Sequence, residues 1–159
     1  MPRNVLLIEP NYKNKYPPMG LMKISTYYKQ RGDNVRFYKG DLKRFTASLL
    51  CEELIRILFG MSPEMKWRRL IPTLTTYIRY GKTADIPEEI IRNNESTMDD
   101  ADMIIDLIRE YRTKFKKKDF FSNPRFDIVC ITTLFTFEWA ITINTINYVK
   151  KLCKNPKKV

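Results

Sequence analysis

The residues best suited to chemistry fall in two short clusters. Pro17-Pro18-Met19-Gly20 closes a polar loop, and Thr132, Thr133 and Thr136 follow an apolar run. Adjacent prolines stiffen a loop by fixing φ, and Pro18 biases Pro17 away from the helical region. Gly20 lets backbone approach a ligand closely. Threonine hydroxyls bond the polar rim of a ligand or cap a helix. This is binding chemistry, and no catalytic residue is expected. The chain has no histidine, which excludes Ser-His-Asp and Cys-His sites and most zinc sites. Asp99, Asp100 and Asp102 read as partners of a helix dipole, not as metal ligands. There is no G-x-G-x-x-G and no Walker A motif, so dinucleotides and nucleoside triphosphates are not bound by those routes. A third cluster, Trp67-Arg68-Arg69 with Tyr77, Arg79 and Tyr80 nearby, mixes aromatic and basic residues. Such residues stack on bases and grip phosphate, or the aromatic packs inward while the arginines face water. The packing reading is the stronger.

The elements that must position these clusters are legible. Val5-Leu6-Leu7-Ile8 is apolar without alternation, as in a parallel strand covered on both faces. A helix follows with Leu21, Ile24 and Tyr28 inward, and Gly32 stands where a left-handed cap belongs. Val35-Arg36-Phe37-Tyr38 is the second strand. Residues 42–118 read as a helical insertion, longer than one crossover requires. Its first helix places Leu42, Phe45, Leu49, Leu50, Leu54, Ile57 and Leu58 inward. Pro72 is expected to break or kink the next, and Asp85 and Glu88 read as the cap of another. Ala101, Ile104, Ile105, Ile108, Tyr111 and Phe115 share one face of the last. Asp127 to Ile131 is the third strand, and the final helix turns Trp139, Ile143, Ile146 and Val149 or Tyr148 inward. With order 2-1-3, the Pro17–Gly20 and threonine turns share the carboxyl edge, where open α/β sheets bind ligands.

The chain has 159 residues and a net charge of +11, with 43% hydrophobic and 30% charged residues. These values fit one soluble globular domain over 1–159. The lysines cluster at helix ends, where they offset the helix dipole, so nucleic acid is an allowed but disfavoured partner. No apolar run approaches the roughly 20 residues of a membrane span. No leader is visible, and Cys51, Cys130 and Cys153 are far apart and odd in number, so a cytoplasmic location with reduced thiols is expected.

The strand, the loop ending in PPMG, the helix ending in RGD and the second strand together resemble the N-terminal cobalamin-binding-type domain of radical S-adenosylmethionine (SAM) enzymes. The run Phe126 to Phe135 resembles that family's third strand. Met19 stands where the family usually has leucine, and Asp33 where it has an aromatic residue or histidine. The resemblance covers about a third of the chain. It implies a Rossmann- or flavodoxin-like three-layer fold and an accessory role, enclosing substrate or cofactor without catalysis of its own. Cofactor contact would fall on Pro17, Pro18, Met19, Gly20, Thr132, Thr133 and Thr136. Cobalamin would have to bind without an imidazole ligand, since the D-x-H-x-x-G loop is absent. The C-x-x-x-C-x-x-C motif is absent too, so [4Fe–4S] and SAM are expected only in a downstream domain. A fourth strand is expected to begin near Lys157-Lys158-Val159, so the chain reads as the N-terminal domain of a longer enzyme, as a truncated relative that kept only this domain, or as one whose sheet a partner chain completes. The alternative is a basic nucleic-acid-binding or protein-interaction module built on Trp67, Arg68 and Arg69. A mononucleotide or flavin at the strand edge is a third reading.

Overall fold

Val5, Leu6, Leu7 and Ile8 are all completely enclosed. That is why the run lacks alternation: it is the central strand, covered on both faces. The computed structural model describes residues 1–14, 16–63, 66–81, 98–133 and 138–155. Strand β1 (Asn4–Glu9) lies between β2 (Asn34–Lys39) and β3 (Ile128–Ile131). Both pairings are parallel, and Val5 faces Val35 on one side and Ile128 on the other. The fold is therefore α/β, with an open parallel sheet in the order 2-1-3.

The chain divides into two compact units. One comprises residues 1–42 and 121–159, the other residues 43–120. In the first, helix α1 (Met19–Gln30) covers one face of the sheet. Leu21 and Tyr28 pack there with Val5, Leu7, Val35, Ile128 and Cys130, the odd positions of β1 in keeping with a period of two. Ile24 does not join them and is 37% exposed. The inward line is Leu21, Ser25 and Tyr28, which leaves Ile24 at its margin.

Helix α1 ends as the sequence predicts. Gly32 has φ +79°, its N–H donates to the Lys29 carbonyl, and the Asp33 N–H donates to the Tyr28 carbonyl. This paired closure satisfies two carbonyls that the helix end would leave bare. It also aims the Asp33 carboxylate at the start of β1. Arg3 donates to Oδ1 through its backbone N–H (3.0 Å) and to Oδ2 through its guanidinium (2.8 Å). These bonds from the Arg3 side chain and backbone hold the Asp33 carboxyl down at about 2, against an ordinary 3.8. On the other side of β1, Asp127 accepts the Asn4 N–H (2.8 Å) and the Lys154 ammonium (3.0 Å). The Asn4 N–H first, then Lys154, lower its pKa. Two carboxylates thus anchor the amino edge of the sheet to β1.

After β3, helix α5 (Trp139–Val149) and a 3-10 turn (Lys150–Leu152) return the chain to the sheet. Phe126 and Cys153 then form a parallel bridge, with the Phe126 N–H on Leu152 and the Lys154 N–H on Phe126. Helix α5 is rotated from the expected face. Trp139 is 61% exposed and Ile143 36%, whereas Thr142, Thr145 and Val149 are buried. The threonines tolerate burial because their hydroxyls donate to the Glu138 and Ile141 carbonyls one turn back.

In the second unit, α2 (Leu42–Met61), α3 (Trp67–Tyr80) and α4 (Met98–Lys117) share one core. Leu50, Leu54 and Leu58 of α2 meet Trp67, Leu74 and Ile78 of α3 and Ile104, Ile108 and Tyr111 of α4. Ala101 and Phe115 flank it, as the spacing of α4 predicts. Ile57 is 41% exposed instead of inward. Pro72 does not break α3, which runs unbroken through it. Pro72 and Arg68 are both exposed, so water can serve the Arg68 carbonyl that a residue with an N–H would have capped. The expected Asp85–Glu88 cap lies outside the described residues. Among the described residues, no helix is long and apolar enough to cross a membrane.

Candidate functional site

The carboxyl edge of the sheet is assembled from the ends of all three strands. Glu9, the last residue of β1, is 1% exposed. A carboxylate so enclosed needs a partner. The register supplies it: Glu9 pairs with Lys39 at the end of β2, and the Lys39 ammonium sits 3.1 Å from Glu9 Oε1. Lys39 also donates to Asn14 Oδ1 at 2.6 Å, tying the loop after β1 to the end of β2. The chain turns sharply after Pro10, whose carbonyl accepts the Tyr12 N–H.

Tyr12 joins this loop to the one after β3. Its ring is 4% exposed, and its hydroxyl lies 2.5 Å from Thr142 Oγ1 and 3.4 Å from the Thr132 carbonyl. Thr142 donates its own proton to the Glu138 carbonyl. Tyr12 therefore donates to Thr142, and Thr132 is at most a weak second acceptor of the same proton. The Thr132 N–H continues the sheet ladder onto the Ile8 carbonyl at 3.1 Å. The Tyr12 side chain thus spans the gap between the carboxyl ends of β1 and β3, where open α/β sheets place a ligand.

Around this network lie the residues singled out from the sequence. Pro18 precedes α1 as its N-terminal cap residue, and its carbonyl accepts the Met22 N–H at 3.1 Å. Pro17 and Gly20 are exposed and Pro18 is half-buried. A Cβ added to Gly20 would meet nothing within 4 Å, so packing within the described protein does not demand glycine there. Met19 is 61% exposed, beside Tyr16 at 82% and Met22 at 49%. Thr132 is half-buried and Thr133 exposed. Thr136 lies outside the described residues. The double-proline turn and the start of the threonine turn thus stand at one edge of the sheet. Glu9, Tyr12, Lys39 and Thr142 were not singled out. A charged residue ending an apolar run was the available signal for Glu9.

Trp67 packs inward, as the stronger of the two readings had it, and does not serve as the stacking residue of the alternative. It is 0% exposed, and its indole N–H donates to the Ser62 carbonyl at 2.8 Å. Its apolar ring fills the core of the helical unit, so neither face is open to a base. Arg68 and Arg69 are exposed. The three cysteines are free thiols, and burial pushes Cys51 and Cys130 up, away from the reactive thiolate. Among the described residues, no three carboxylate, thiol or imidazole side chains converge to hold a metal ion. No family model, curated protein or solved structure matches the chain.

Proposed function

We propose that the sheet-bearing unit is a Rossmann- or flavodoxin-like accessory domain of the cobalamin-binding type found in radical SAM enzymes. It encloses a substrate or cofactor and carries no catalysis of its own. The observation that supports this reading is topological. The sheet runs 2-1-3, and the Phe126–Cys153 parallel bridge opens a further row beside β3. Growth in that direction is what a doubly wound sheet of order 2-1-3-4-5 requires. The rim offers Pro17, Pro18, Met19, Gly20, Thr132 and Thr133 to a ligand, with the apolar Tyr16 and Met19 beside it for a covering domain. Large exposed apolar side chains grouped in this way mark contact surfaces.

Cobalamin held deep in the edge does not fit. The chain has no histidine to ligate cobalt, and Tyr12 fills the gap between β1 and β3. Contact is therefore assigned to the outer rim, with cluster and SAM chemistry in another domain or chain that also completes the sheet. The test is amide hydrogen exchange of the purified protein with and without hydroxocobalamin. Slower exchange at residues 16–22 and 132–133 is expected with it. Unchanged exchange, together with no retention of the corrinoid in equilibrium dialysis, overturns the reading.

A further inference from the structure

The aromatic-basic cluster of α3 is divided by the fold, and the divided half builds a groove. Trp67 and Tyr77 turn into the core, while Arg79 and Tyr80 line an open groove of about 450 Å³ between α3 and the first turns of α2. The spacing explains it. Thr75, Thr76, Arg79 and Tyr80 lie three to four residues apart along one stripe of α3, and Arg44 and Ser48 do so on α2. Ile71 and Pro72 supply an apolar wall. The volume lies in the range of small-ligand sites, roughly 300–1,000 Å³.

The chemistry of the lining is asymmetric. Two guanidinium groups, Arg44 and Arg79, contribute to one groove, and none of the described lining residues is acidic. Arginine matches a phosphate geometrically and stays charged. The hydroxyls carry the opposite polarity. Ser48 donates to the Phe45 carbonyl and Thr76 to the Pro72 carbonyl, so their oxygens present lone pairs to a ligand that donates, such as a sugar hydroxyl. Arg79 stacks on the Tyr80 ring at 4.6 Å, and Tyr80 remains 48% exposed. An aromatic ring held in this way suits a planar base. The carbonyl end of α3 would repel an anion. Arg112 donates to the Ile78 and Arg79 carbonyls, at 2.6 and 2.7 Å, and offsets that charge.

We propose that this groove binds a phosphate monoester of mononucleotide size, with phosphate on Arg44 and Arg79, sugar hydroxyls on Ser48 and Thr76, and a base against Tyr80. The site lies wholly within the helical unit and does not depend on the rim described above. The test is calorimetric titration of the full chain with AMP, adenosine and inorganic phosphate at two salt concentrations. AMP is expected to bind about ten-fold or more tightly than adenosine, since removing the phosphate removes its bonds to two charged groups. Arg79→Gln and, separately, Arg44→Gln should each weaken AMP by about ten-fold. Arg69→Gln, on the same helix but outside the groove, should leave it unchanged. Circular dichroism verifies that each variant is folded. Equal loss in the Arg69 and Arg79 variants would show general charge attraction and overturn the proposal. So would adenosine binding as well as AMP, or no heat with AMP at millimolar concentration. An oligonucleotide that binds far more tightly than AMP, with a steep salt dependence and equal sensitivity to Arg69, would assign the surface to nucleic acid and likewise overturn it.

Discussion

Gly81→Ala should be among the most damaging single-methyl changes in this protein. Gly81 closes α3 with φ +60°, and its N–H donates to the Tyr77 carbonyl at 2.8 Å. A side chain in this left-handed conformation costs about 1–2 kcal/mol. The new Cβ would also stand 2.6 Å from Arg112 Nε and 2.9 Å from a terminal nitrogen of the same group. The guanidinium, the far end of a flexible side chain, has to shift, at the limit giving up its bonds to the Ile78 and Arg79 carbonyls. Hydrogen bonds from a charged donor contribute roughly 1.5–3 kcal/mol each, and half-buried Arg112 calls for the lower end, about 3 for the two. Gly81→Ala should then cost about 4–5 kcal/mol and Arg112→Ala about 3. The double variant should cost about 4–5, not the 7–8 or so of independent effects, because the clash has already removed what the second change removes. Urea unfolding followed by Trp67 emission measures this. Trp67 is buried in the helical unit, and a Trp139→Phe background silences the other tryptophan. A Gly81→Ala cost below about 1 kcal/mol, or an additive double variant, refutes the account of why glycine stands there.

Gly20→Ala should behave in the opposite way. With open space around its Cβ and a helical position, it should raise stability by about 0.5–1 kcal/mol in urea unfolding. If the rim holds a ligand closely, dialysis should show that the same change weakens retention. Lys39→Met leaves the enclosed Glu9 carboxylate without its cation and should cost about 3 kcal/mol. Adding Glu9→Gln should recover most of that loss in the same assay. Asp33 makes acid stability testable. Its folded pKa of about 2 lies below its ordinary 3.8, so its contribution is present above 3.8 and disappears as pH falls through about 2. Asp33→Asn should flatten the stability-versus-pH curve in that window and leave the slope above it alone. Tyr12→Phe removes the proton given to Thr142 and should lower the midpoint by the equivalent of about 1 kcal/mol.

The sheet was readable from sequence because burial on both faces leaves an unmistakable mark: four apolar residues in a row at β1, with no polar alternation. The cap at Gly32 was readable because only glycine enters that conformation without strain. The inward face of helix α5 was not, since Trp139-Ala-Ile-Thr-Ile-Asn-Thr-Ile-Asn spreads its apolar residues over much of the circumference. Threonines that bond their own helix can go inward and leave Trp139 outside. The break expected at Pro72 did not occur: the core packing of Trp67, Leu74, Tyr77 and Ile78 holds α3 through it, and water can serve the stranded Arg68 carbonyl. At the rim, the proline and threonine turns could be placed from strand order alone. The Glu9–Lys39 and Tyr12–Thr142 pairs could not, because each joins residues 30 or 130 positions apart, and only the register brings them together.

The pairing of Asn4 with Asp127, 123 residues apart, has a kinetic consequence. Closing so long a flexible loop costs about 4 kcal/mol of chain entropy, against about 3 for the 30-residue return from Arg3 to Asp33. The shorter return, the parallel crossover from β1 through α1 to β2, therefore closes at the lower entropic cost. β3 must wait, and it arrives sooner if residues 43–120 have already collapsed and shortened the effective tether. In that order of events the helical unit serves during folding as a spacer that draws in the third strand.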